Sequence, residues 1–207
     1  MEQQVARAHY GLRYGYRERF ASYYYQVREV LAERPQSVLE VGVGDGVVGT
    51  YLRSQALVTY SSADIAEDLA PDIVGSVTKL PCKDKSYDVV CCFEVLEHIP
   101  YEKVPTALGE LSRVARNAVV LSVPHFGPRL QFMAKVPFLP ELRCAVKVPW
   151  PRKHTFNGEH YWELGKRGFS PRAFRALLRT FGTVTRDFVP FENQYHHFFV
   201  IVPKTNP

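Results

Sequence analysis

The sequence predicts an α/β protein with an open, mostly parallel sheet and helices on both faces. Three observations carry this reading. Residues 37–123 run through apolar strands and helical periodicities in the order β-α-β-β-α-β. The strands read as unbroken β-branched runs, as parallel strands buried on both faces do. Two alternating segments near the C-terminus make a hairpin, which sets one strand antiparallel to the rest.

In chain order, residues 1–36 form a helical segment. Within it Tyr16–Arg34 carries Phe20, Tyr23, Tyr24, Val27, Val30 and Leu31 at helical spacing and ends at Pro35, with the tyrosines expected on the core. Ser37–Val43 is the first strand, Gly44–Gly46 turns the chain, and Val47–Ser54 is a helix. Leu57–Ala63 is the second strand, ending at Asp64, and Asp72–Val74 is a short third one. Tyr87–Phe93 and Ala118–Val123 are further strands flanking a helix over Val104–Ala115. From 124 to 168 the prolines at 124, 128, 137, 140, 149 and 151 break the pattern, so an insertion without any long regular element is expected. Ser170 caps the last helix, with Pro171 at its first position and Gly182 at its stop. Strands Thr183–Phe191 and Tyr195–Val202 follow, joined by Glu192-Asn-Gln194. The length of 207 residues suits one domain over the whole chain.

Composition narrows the class. With 46% apolar and 23% charged residues the chain is ordinary for a soluble globular protein. It has no run of about 18 apolar residues and no apolar core of a secretory signal near its start, so a cytoplasmic location is expected. The four cysteines lack CxxC or Cys/His spacing, which favours buried reduced thiols over a disulfide or zinc site, and no metal is expected. The net charge of +5 sits in one segment. Between His125 and Lys153, Arg129, Lys135, Arg143, Lys147, Arg152 and Lys153 face only Glu141.

The stretch VLEVGVGDGVVG (38–49) joins a strand, a glycine turn and a helix start. Such a joint brings backbone N–H groups and the positive helix end up to a ligand. Asp64 lies twenty residues after Gly44, at the end of the next strand, where a carboxylate accepts both ribose hydroxyls. Together these specify a nucleoside or dinucleotide. The GxGxxG spacing from Gly44 to Gly49 also fits nicotinamide and flavin enzymes, which keeps an oxidoreductase open.

Glu40–Gly46 resembles the E/D-x-G-x-G-x-G loop of class I S-adenosylmethionine-dependent methyltransferases. LPCKDKSYDVVCCFEVLEHI (80–99) resembles a stretch of their small-molecule, type 11-like branch. The resemblance runs from Ser37 to Val123 and more weakly over the last helix and hairpin. It implies a Rossmann-like fold, S-adenosylmethionine as cofactor, and a role for each matching residue. Glu40 and the carbonyls of Gly42 and Phe93 hold the methionine end, beside Gly44 and Gly46. Asp64 takes the ribose, Ile65 lies against the adenine, and Ser76 and Val77 complete the adenine site. Ser76 stands where the family usually has an acid, and a hydroxyl accepts the adenine amino group more weakly. The cofactor carries a sulfonium and an ammonium but no pyrophosphate, so an acid in the loop attracts it, whereas a nicotinamide dinucleotide would be repelled.

Methyl transfer is an in-line displacement at a carbon already activated, leaving the protein to align the acceptor and take its proton. Candidate bases near the carboxyl ends of the strands are His125, directly after the fifth strand, and His154 and His160 in the KHTFNGEHYW stretch beside Glu159. Glu94, just past the fourth strand, is placed to face the acceptor. These histidines also suit a purely structural role, bonding the insertion to the sheet. Glu97 and His98 read as a helix entrance. His196 and His197 alternate on the last strand, so at most one points inward. The insertion mixes its cations with Phe126, Leu130, Phe132, Met133, Val136, Phe138, Leu139 and Trp150, which suits a lid over the acceptor. An anionic small molecule or glycan- or lipid-linked acceptor fits such a lid, as does contact of 125–153 with a membrane surface. An RNA or protein acceptor and a non-catalytic binding subunit are the competing readings.

Overall fold

The computed structural model describes residues 7–11, 14–55, 58–150 and 152–204. Leu57, Pro151 and the first six residues, which enter the expectations above, lie outside these described residues. The elements are α1 (Arg17–Ala32), β1 (Ser37–Val41), α2 (Val47–Ser54), β2 (Thr59–Asp64), β3 (Ile73–Val74), β4 (Tyr87–Phe93), α3 (Val104–Val114) and β5 (Ala115–Pro124). After these come β6 (Arg129–Ala134), β7 (Leu142–Lys147), α4 (Pro171–Phe181), β8 (Gly182–Phe188) and β9 (His196–Pro203).

Seven strands form one sheet in the order β3-β2-β1-β4-β5-β9-β8. All neighbours up to β5 pair in parallel, while β9 runs antiparallel to both β5 and β8. The C-terminal hairpin thus returns inside the edge strand. Alternate residues of each strand feed two cores. Val38, Val89, Cys91 and Phe198 pack with Val30 of α1 and Leu52 of α2. Leu39, Val90, Cys92 and Phe199 pack with Leu111 of α3 and Phe174 of α4 on the opposite face. Strands filled on both sides have no polar face to alternate with, which is why they read as continuous apolar runs. The chain reverses its winding between β1 and β4, leaving a crevice at their carboxyl ends. No helix among the described residues is long and apolar enough to cross a membrane.

Several details differ from the sequence reading. The insertion holds a regular hairpin, β6–β7, registered from Arg129 opposite Lys147 to Ala134 opposite Leu142. Its prolines only punctuate: Pro128 precedes β6, Pro137 and Pro140 lie in the tip, and Pro149 follows β7. Neither strand of this hairpin is buried, and Phe138 at its tip is fully exposed. On α1, Tyr23 and Val30 are buried, but Phe20 and Tyr24 face outward because Ser22, Gln26 and Glu29 take the inner face. Cys91 and Cys92 are buried, whereas Cys144 is exposed on β7.

Candidate active site

The crevice is a cavity framed by the ends of β1, β2 and β4. Glu40, near the end of β1, is 3% exposed and accepts a hydrogen bond from the Tyr60 hydroxyl. Burial pushes its carboxyl up to about 8, against the pull of that hydrogen bond. Gly42 follows with φ +93°, and a Cβ there would lie 2.3 Å from Val95 Cγ2, so both the backbone and the close approach require glycine. Gly46, at φ +75°, opens α2 with no side-chain cap. The loop is braced by acids. Asp45 accepts from the Tyr23 hydroxyl and from Val47 N at 3.2 Å. Asp64 accepts from Val43 N at 2.7 Å and from Ala66 N at 2.8 Å, tying the end of β2 to the glycine loop. A carboxylate has about four acceptor positions, so two remain for a ligand's hydroxyls. Ile65, Ser76 and Val77 line the same wall, and Ser76 Oγ is already engaged with Thr78 in a local turn.

The far wall begins where β4 ends. Glu94 adopts φ +53°, a left-handed conformation costing a non-glycine residue on the order of 1 kcal/mol. Its carboxylate accepts from Ser122 Oγ at 2.7 Å and lies 3.5 Å from His196 Nε2. Burial raises Glu94 to about 7. Glu97 is completely buried, and among the described residues neither of its carboxylate oxygens has a hydrogen-bond partner. His98 Nδ1 is 3.0 Å from the Glu159 carbonyl, and His160 Nδ1 is 3.2 Å from Glu163 Oε1. The two rings meet edge to face at 5.1 Å. Glu94, Glu97, His98, Glu159 and His160 all line the cavity.

Two expected bases lie elsewhere. His125 is not among the cavity's lining residues; its Nδ1 is 3.0 Å from His197 Nδ1, with the rings stacked. His197 in turn reaches Asp187 at 2.7 Å on the α4 face of the sheet. Burial, with Lys147 nearby, lowers His125 to about 3. The strand pairing explains the placement, because His197 sits opposite Val123 and faces away from the crevice, while His196 opposite Pro124 faces into it. His154 is a buttress, with Nε2 donating to the His160 carbonyl at 2.8 Å.

Of the insertion over 124–168, Glu159 and His160 line the cavity. No residue of β6 or β7 lines the cavity. The described N-terminal residues do: His9, Tyr10 and Tyr14 form an edge-to-face cluster, and the Arg19 guanidinium lies 4.2 Å from the Tyr14 ring. Sequence reasoning passed over these groups, and the crowding of aromatics in HYGLRYGY was the available signal. Among the described residues Glu40, Asp45, Asp64, Glu94, Glu97 and Glu159 face the cavity with one guanidinium, that of Arg19. Burial holds the Glu40, Glu94 and Glu97 carboxyls above the ordinary carboxylate range, so the lining reaches its full negative charge only beside a cationic ligand, which it favours over a pyrophosphate.

A family described as a methyltransferase domain matches residues 39–123. No curated protein matches the chain. Solved structures share the fold. A 1,6-didemethyltoxoflavin-N1-methyltransferase of Burkholderia thailandensis, crystallised with S-adenosylhomocysteine, is 16% identical with a TM-score of 0.63, covering 89% of this chain and 79% of its own. A magnesium protoporphyrin IX methyltransferase of Synechocystis PCC 6803, also with S-adenosylhomocysteine, is 16% identical with a TM-score of 0.61, covering 90% and 84%. An S-adenosylmethionine-dependent methyltransferase of Mesorhizobium loti is 16% identical with a TM-score of 0.55, covering 85% and 95%.

Proposed function

We propose that the chain is a class I S-adenosylmethionine-dependent methyltransferase of the type 11-like kind, a reading supported by the methyltransferase-domain match over residues 39–123 and by the shared fold, and that it methylates an oxygen of an anionic acceptor with an apolar part, such as a lipid-linked or glycan-linked intermediate. It acts as one catalytic domain in the cytoplasm, with the β6–β7 hairpin against the apolar part of the acceptor or the surface that holds it.

The acid lining of the cavity carries the cofactor half of this reading. Glu40 and the Gly42 and Phe93 carbonyls suit the methionine ammonium, Asp64 the ribose, and Ile65, Ser76 and Val77 the adenine. When bound, the cofactor supplies a sulfonium methyl group: the acceptor oxygen bonds to that carbon as the sulfur–carbon bond breaks, its electrons stay on sulfur, and S-adenosylhomocysteine leaves. The chain's own task is to orient the acceptor, exclude water and take its proton. Glu94 suits the last role, because a carboxyl held at about 7 is part-ionised at neutral pH and its strained backbone aims it into the cavity. His160 is the alternative base on the same wall.

The hairpin supports the acceptor half. Leu130, Phe132, Met133, Val136, Phe138, Leu139, Leu142 and Val146 are all more than half exposed, an apolar patch that water does not favour. The cations around it are partly committed, Arg143 to Glu141 and Glu192 and Lys147 to the His125 and Gln194 carbonyls. Apolar contact therefore outweighs charge here, which favours an amphiphile over a nucleic acid. Incubation with S-adenosylmethionine labelled on the methyl group, followed by separation of lipid, RNA and protein fractions, tests this. Label is expected in the organic-soluble fraction, reduced by Phe138→Asp combined with Leu139→Asp while S-adenosylhomocysteine affinity holds. Label confined to RNA or protein refutes the acceptor reading.

A further inference from the structure

Glu97, His98 and His160 each offer a ligand atom within 4.8 Å of the others, in the wall of the cavity. Sequence spacing hid this group, because His160 joins the other two only through the fold. We propose that these three side chains bind a first-row divalent cation such as zinc.

Three observations point to an ion. First, Glu97 is completely buried, faces the cavity, and has no hydrogen-bond partner for either carboxylate oxygen among the described residues. Burial raises this carboxyl well above the ordinary carboxylate range, because an ionised carboxylate left so costs several kcal/mol, a cost that either a proton or a bound cation offsets. Second, both histidines are oriented as metal-binding histidines are. Metal-bound imidazoles give their other nitrogen to a carbonyl or carboxylate, which fixes tautomer and ring direction. His98 Nδ1 is 3.0 Å from the Glu159 carbonyl, which requires it to donate, so the lone pair lies on Nε2. His160 Nδ1 stands 3.2 Å from Glu163 Oε1, and donation there likewise leaves the lone pair on Nε2. Third, the scaffold around His160 is built rather than incidental. His154 donates to its carbonyl at 2.8 Å, Asn157 Oδ1 accepts its N–H at 2.7 Å, and Trp162 Nε1 donates to the Leu96 carbonyl at 3.0 Å beside Glu97.

The donor set selects the ion. Two imidazoles and one carboxylate suit zinc, iron or cobalt better than magnesium or calcium, which prefer all-oxygen shells. Three protein ligands leave positions open, as in sites where the ion meets a substrate. Within the methyltransferase reading, the open position faces the same cavity and suits an acceptor oxygen, whose proton an ion makes easier to remove.

The test uses the full chain, stripped with a chelator. Titration with CoCl2 followed by visible absorption, and with ZnCl2 and MgCl2 by calorimetry, reads binding without any need for activity. One equivalent of Co2+ with a ligand-field band and one of Zn2+, with no matching Mg2+ heat, is expected. Glu97→Gln and His160→Gln weaken it by about a hundredfold or more, with circular dichroism showing that each variant is folded. Absence of Co2+ or Zn2+ binding in the wild type, or undiminished binding in both folded variants, overturns the proposal. Titration of the wild type with S-adenosylhomocysteine separates the two readings. Cofactor without metal sinks only the ion site, and metal without cofactor sinks the methyltransferase reading while the site stands.

Discussion

Replacing Asp64 with alanine removes a loop brace and, under the proposed function, a ligand for the cofactor's ribose. In the protein alone its carboxylate accepts Val43 N at 2.7 Å and Ala66 N at 2.8 Å, holding the glycine loop against the end of β2. Hydrogen bonds to a charged acceptor contribute roughly 1.5–3 kcal/mol each when buried. Asp64 is only half-buried, so each loss should be near the lower end, about 3 kcal/mol in all, or a melting temperature lowered by about 6–12 °C. Under the proposed assignment, the two remaining acceptor positions take the ribose hydroxyls of the bound cofactor. Losing both costs about 3 kcal/mol, which weakens binding by roughly 150-fold. Asp64→Asn separates the two roles. The carboxamide keeps one acceptor oxygen but turns an NH2 toward one of the two backbone donors, so the loop loses one brace and the ribose keeps part of its grip. Calorimetric titration with S-adenosylhomocysteine, beside thermal melts in the same buffer, should rank affinity as wild type, then asparagine, then alanine. Affinity in the alanine variant within about threefold of wild type would refute the assignment of Asp64 to the ligand and reduce it to a loop brace.

Two further outcomes follow from burial. Glu40 holds its proton up to about 8, so between the ordinary carboxylate range and that value the folded chain keeps a proton that the unfolded chain has released. Its contribution to stability therefore falls as pH rises through this window, and Glu40→Gln should flatten that part of the melting profile. A cationic ligand favours the ionised form, so S-adenosylmethionine binding at pH 7 should release up to about 0.9 proton from this carboxyl. Binding enthalpies compared in buffers of different ionisation heat should show that release diminished in the glutamine variant, and an unchanged release would exclude Glu40 as its source. Trp162 is fully buried and donates to the Leu96 carbonyl at 3.0 Å. Trp162→Ala should cost about 3–5 kcal/mol, seen as a melting temperature lower by at least about 6 °C, and a shift under about 2 °C would show that the insertion packs independently of the sheet.

What the sequence reveals of this molecule depends on how local the cause of each feature is. β1 and β4 are legible because residues filled on both faces leave only apolar runs, and Asp64 because its distance from the glycine loop is set by one helix and one strand. The β6–β7 hairpin is obscured by prolines that lie at its ends and tip, where they break nothing. His125 follows β5 directly, yet its side chain goes to the α4 face, since the register with β9 decides which face each histidine takes and no local pattern encodes that register. The same reasoning applies most strongly to Glu97 and His160, sixty-three residues apart. They meet because Tyr161 N donates to the Glu97 carbonyl at 2.8 Å and the Trp162 indole donates to Leu96, so the segment after the insertion is pinned to the turn that follows β4. One buried aromatic thus brings a histidine to a carboxylate that has no hydrogen-bond partner among the described residues. A search for closely spaced ligands in the sequence is blind to such an arrangement, because its spacing is set by the anchor and not by the ligands. The expectation of no metal drew on spacing alone, so it carries no weight against an ion at Glu97, His98 and His160.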